Sequence, residues 1–199
     1  MSSTESASYT RTAKVLHWLI ALAIIFMLAL GWCMDFFPKG DPRFAAIQLH
    51  KSIGITILLL SFVRLGWRSI HRAPPFPTSM SLWEQRAAHA GHLLLYVAMI
   101  GMPLTGWAMV SASPRNIPTI LYGVLPWPAL PYFSTIENKK EMSHFMDNVH
   151  DISAYLLAAL IAGHAAAALK HHFISRDDIL LRMTPRFCAA FLNRLRGQP

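Results

Sequence analysis

The chain has 199 residues, of which 54% are hydrophobic and 14% charged, with a formal net charge of +8. The apolar residues are gathered into long runs, which excludes an ordinary soluble domain. The basic residues straddle those runs without any nucleic-acid motif, which excludes a nucleic-acid partner.

In chain order, four runs are close to the roughly 20 residues that cross a bilayer: 13–34, 47–67, 87–110 and 146–169. The expected architecture is all-α, an integral membrane four-helix bundle in one domain. The opening residues lead into the first run without a small-residue cleavage motif, so that run is read as a retained span. Twelve of the 18 Lys and Arg residues fall on one side, around the start of the first run, from the end of the second to the start of the third, or after the fourth. By the positive-inside rule both termini are expected to be cytoplasmic. The link 69–85 is proline-rich and extended. The link 111–145 carries five prolines among Tyr122, Trp127, Tyr132 and Phe133, a composition suited to lying at the lipid–water interface over the mouth of the bundle. Cys33 and Cys188 fall near opposite membrane faces, and neither belongs to a CxxC or CxxCH motif. That argues against a disulfide, covalent haem attachment or an iron–sulfur cluster.

The histidines carry the chemistry. His150 and His164 are fourteen residues apart, about 21 Å along a helix and within about 40° of the same face. His50 and His17, on other spans, match them in membrane depth. One helix thus offers two imidazoles near opposite membrane faces, each with a partner across the bundle, as two stacked haems require. Neutral imidazole ligates iron without burying a charge. The residue four positions after each of the four is small, namely Ala21, Gly54, Ala154 and Ala168, leaving room on that face for a flat macrocycle. His89 and His92 on the third span are the alternative source of a ligand, but Leu93 and Tyr96 follow them at that spacing. An interhelical hydrogen bond is the ordinary use of a single membrane histidine, and a transition-metal path is disfavoured because carboxylate and thiolate companions are missing from the span interiors.

The segments LHWL at His17, LHKSIGI at His50, AHAGHLLLY at 88–96 and VHDISAYLLAALIAGHAAAALKHHF from Val149 resemble the bacterial cytochrome b(561) family and, within it, the superoxide oxidases. The resemblance runs from the first span to LLRMTPR, and the tail 187–199 has no counterpart in it. It implies a domain over 1–186 in the bacterial inner membrane, with two noncovalent b haems held by His17, His50, His150 and His164. Electrons would pass from superoxide to ubiquinone with no obligatory protein partner. A haem-bearing membrane anchor for a hydrogenase or dehydrogenase is the alternative. On this reading Lys51, beside His50, guides the superoxide anion together with Arg43, Arg115, Lys139 and Lys140 of the outer loops. His171, two turns beyond His164, is the expected quinone ligand or proton relay.

Overall fold

The computed structural model describes residues 8–196. The first seven residues of the expected domain and the last three of the expected tail lie outside the described residues. Four long helices dominate: α1 (Arg11–Trp32), α2 (Asp41–Ile70), α3 (Leu82–Ser111) and, after a short α4 (Pro131–Thr135), α5 (Lys139–Lys170). All four are long and apolar enough to cross a membrane, and the chain is a membrane protein.

Helices α2, α3 and α5 begin before their apolar segments, whereas α1 is offset by two residues at each end, and side-chain caps mark the starts of α1 and α3. Thr10 accepts from the Ala13 N–H at the start of α1. Ser81 and Glu84 form a reciprocal capping box at the start of α3, and α2 begins with a proline in its first turn. Hydropathy marks only the lipid-immersed stretch of each helix.

Helix α1 packs on α2, α2 on α3, and α3 on α5, whereas the backbones of α1 and α2 stand off from α5. The core of Ile20, Ile24, Leu28, Ile57 and Leu157 lies in the middle of this arrangement. Leu157 falls halfway between His150 and His164, seven residues from each. Outward, apolar residues such as Val15, Leu22, Phe62, Val97 and Leu156 are exposed, as lipid-facing helices require.

The long link between α3 and α5 contains an element that hydropathy does not reveal, an antiparallel hairpin of β1 (Thr119–Leu121) and β2 (Leu125–Trp127). Tyr122 and Gly123 turn it with φ of 52° and 74°, the left-handed conformations a tight hairpin needs. Side chains of α2 hold it down: Gln48 donates to the Pro118 carbonyl at 2.9 Å, Ser52 accepts from the Tyr122 N–H at 2.9 Å, and the Thr56 and Tyr122 hydroxyls meet at 2.7 Å.

At the opposite end, α5 runs into a π-helical turn (His171–Ser175), followed by α6 (Ile179–Met183) and α7 (Arg186–Leu195). This C-terminal strap is stitched to the start of α1. The Tyr9 N–H donates to the Arg182 carbonyl at 3.3 Å, Lys14 to the Thr184 carbonyl at 3.1 Å and the Trp18 indole to the Met183 carbonyl at 3.0 Å. The Arg182 guanidinium also donates to the Pro75 carbonyl. The described N-terminus, the link between α2 and α3, and the C-terminal segment therefore gather at one end of the bundle.

Ser81→Ala removes the side-chain cap of α3. It should lower stability by about 1 kcal/mol, read as a reduced thermal midpoint in detergent with the helical content of the folded state unchanged.

Candidate functional site

The gap between α5 and the α1–α2 pair is bridged at two levels by histidine. The rings of His50 and His150 lie 6.2 Å apart, centroid to centroid, at 69°, and those of His17 and His164 lie 6.2 Å apart at 66°. An imidazole–metal bond is roughly 2 Å, so two such bonds with the ring radii on either side add to roughly 6 Å. Both separations suit one metal atom between two nitrogens.

The outer pair opens on a cavity of about 660 Å³, within the size range of cofactor sites. Gly54 and Ala154, two of the small residues that follow candidate ligands, line it. A Cβ at Gly106 would meet the His150 ring at 3.0 Å, so that glycine makes room for the ring, whereas one at Gly31 would only touch His50 at an ordinary 3.5 Å. His150 Nδ1 lies 3.2 Å from the Met102 carbonyl and 3.0 Å from the Thr105 hydroxyl, which itself donates to that carbonyl at 2.7 Å. A carbonyl only accepts, so Nδ1 carries the proton and Nε2 keeps its lone pair for a metal. His50 Nδ1 and the Trp127 indole nitrogen are buried without a hydrogen-bond partner, and Trp127 lines the cavity. Orphaned donors, a prepared imidazole and cleared space fit a flat macrocycle with polar edges.

Lys51 lines this cavity too, half-buried beside His50, and is the one cation among the described residues that do so. Asp35, Asp147 and Asp151 share the lining. The other expected cations are not among its lining residues. Arg43 is held by Asp35 at 3.4 Å and by the Phe37 carbonyl, and Lys139 donates to Asn116 at 3.4 Å. The loop charges expected to surround the mouth are thus spent in loop contacts or stand apart from the cavity.

At the inner level the structure adds a third ring. His92 of α3 lies 5.6 Å from His164, while His89 meets Phe76 edge-on at 5.2 Å. His92 and His164 face each other across the closely packed α3–α5 interface, whereas His17 faces His164 across the gap.

His171 is buried in the π-helical turn, its Nδ1 2.6 Å from an Asp177 carboxylate oxygen. Asp177 is fixed in turn by the Ile179 N–H at 3.0 Å, while Arg196 donates to its carbonyl at 2.7 Å. Seven-residue spacing placed His171 beneath His164, but its carboxylate partner is invisible in sequence because the helix widens there. His172 is fully buried, donating through Nε2 to the Leu192 carbonyl of α7 at 3.2 Å.

Comparison with known proteins agrees with this picture. The family model of prokaryotic cytochrome b561 matches residues 8–186. Cytochrome b561 homolog 2 of Escherichia coli (strain K12) is 34% identical over 177 residues, covering 88% of this chain and 90% of that protein. Cytochrome b561 homolog 1 of the same organism is 30% identical, covering 89% and 97%. A probable superoxide oxidase, CybB, of Yersinia pestis is 28% identical, covering 86% and 92%.

Gly106→Val forces the His150 ring off the Met102 carbonyl. It should shift the absorption and EPR signals of bound haem with the helical content unchanged; spectra identical to wild type would show that the His150 ring does not meet the haem.

Proposed function

Since the chain belongs to the prokaryotic cytochrome b561 family, and is therefore a membrane-bound haem protein of electron transfer, we propose that it oxidises superoxide at its outer end and reduces ubiquinone at its inner end. Two superoxide anions lose one electron each and leave as two molecules of oxygen. One ubiquinone gains the two electrons and two protons and leaves as ubiquinol. The observation that carries the relay is the pair of equal 6.2 Å histidine bridges at two levels of one helix. The choice of superoxide is supported by the relative that bears that activity in its name.

On this reading His50 with His150, and His17 with His164, hold two noncovalent b haems, and both termini face the cytoplasm of a bacterial inner membrane. Bound haem would supply one-electron chemistry between the two ends. Met102 and Thr105 set the tautomer and orientation of His150. The Lys51 ammonium attracts the superoxide anion, against the repulsion of Asp35, Asp147 and Asp151. His171, oriented by Asp177, transfers protons to the quinone.

Purified protein should contain two acid-extractable b haems. His50→Ala or His150→Ala should deplete mainly the outer one, and His17→Ala or His164→Ala mainly the inner; a single haem in the wild type would refute the assignment.

Rapid mixing of the reduced-quinone-free protein with superoxide should give haem reduction, and later addition of ubiquinone should give reoxidation. Lys51→Gln should slow the first phase by about tenfold at low salt, Asp151→Asn should accelerate it, and both effects should shrink as salt rises. A haem-bearing anchor subunit would instead copurify with a redox partner and give no reduction by superoxide.

His171→Ala should leave superoxide-driven reduction intact and slow reoxidation by ubiquinone. Asp177→Asn should have the same sense and a smaller size. Unchanged reoxidation in both would remove His171 from the quinone site.

A further inference from the structure

A second, smaller cleft lies at the end of the bundle where the strap meets α1. Three of its ten lining residues are arginines, Arg64, Arg68 and Arg72, and none is acidic. Arg64 and Arg68 are one helical turn apart on α2 and half-buried, and Arg72 is exposed just beyond its end. Arg64 donates through Nε to the Tyr96 hydroxyl at 3.3 Å, and its guanidinium carbon lies 5.9 Å from the centroid of that ring. Arg68 and Arg72 make no hydrogen bond or ion pair among the described residues. One wall is flat: Trp67 stacks on His71 at 3.9 Å and 12°, and its indole donates to Thr10 at 3.0 Å. The cleft adjoins the inner histidines, because its lining residues Ala13 and Tyr96 lie one helical turn from His17 and His92 on α1 and α3.

Basic residues at this membrane face are ordinary by the positive-inside rule, and solvated ones need no partner. These three differ in converging on one walled depression, two of them withdrawn from water with guanidinium forks that no carboxylate occupies. Partly buried cations are costly without a counter-charge, and the planar fork matches two oxygens of a carboxylate or phosphate.

We propose that this cleft is an oxyanion site, in which Arg64 and Arg68 grip a carboxylate or phosphate while Arg72 closes the mouth. Two sources carry that chemistry there: a carboxylate side chain of the haem at the inner pair, and the phosphodiester of an anionic lipid. The first source rests on the haem reading and the second does not, and neither needs superoxide or quinone. A negative result here would therefore leave the proposed activity standing.

The test uses the full-length holoprotein with Arg68→Gln/Arg72→Gln, which breaks no hydrogen bond or ion pair among the described residues, and with Arg64→Gln added. One measurement follows transfer of the inner haem to an excess of apomyoglobin. The other follows retention of phosphatidylglycerol, against phosphatidylcholine, by native mass spectrometry after equilibration with vesicles of each lipid. Loss of a charge-assisted bidentate contact corresponds to about a tenfold effect. Tenfold faster release of the inner haem, with the outer haem unchanged, establishes a haem carboxylate as occupant. Tenfold weaker retention of phosphatidylglycerol alone establishes a lipid phosphate. If both measurements match wild type in the double and the triple variant, there is no oxyanion site.

Discussion

The distance between α5 and the α1–α2 pair is the constraint on which the other features depend. Helices free to pack in a bundle approach to about 8–10 Å between axes, and α3 does pack closely on α5. On the other side the gap stays open, with a histidine pair at each level and buried aliphatic residues between the levels. The imidazoles meet edge to face at 6.2 Å, a separation that an edge-to-face ring contact allows and that a metal atom between two nitrogens fits. Membership of a haem family supplies a group that would hold the gap open on the proposed ligation.

The two ends of the gap are closed in different ways. At the outer level a hairpin is fastened across the cavity by Gln48, Ser52 and Thr56, all on α2 within two turns of His50. The same stretch of helix therefore carries a candidate ligand, the only lysine lining the cavity and the anchors of its cover. Trp107 extends the fastening by donating to the Pro128 carbonyl at 2.9 Å. At the inner level the closure comes from the C-terminal strap, which joins α1, the link after α2 and the π-helical end of α5. A π-turn re-aims side chains by about one residue, and here it turns two consecutive histidines, His171 and His172, into the protein.

The electrostatics of the two levels are opposite in character. The outer cavity sets one ammonium among three carboxylates, so its attraction for an anion is local to Lys51 rather than a field over the whole mouth. The inner cleft gathers three guanidiniums and no carboxylate. The two clefts thus distribute positive charge differently, and net charge alone does not separate them.

Much of this was legible in sequence. Four apolar runs determined a four-helix membrane bundle, because lipid leaves no other way to satisfy the backbone of such runs. The fourteen-residue interval placed His150 and His164 on one face because helical periodicity is fixed by backbone geometry, and Gly54 and Ala154 were recognisable as small residues beside candidate ligands. The tertiary structure alone decided the rest, since each remaining feature joins residues that no local rule connects. It set the third histidine, His92, against His164, tied Arg43 to Asp35 of the cavity lining and Lys139 to Asn116, and folded the proline-rich link into a hairpin lid. It also buried His171 against Asp177 through a π-turn that helical periodicity cannot anticipate, and brought Arg64, Arg68 and Arg72 under a strap from the far end of the chain. Periodicity governs which residues share a face; which faces meet, and what is shut between them, follows from packing across the whole molecule.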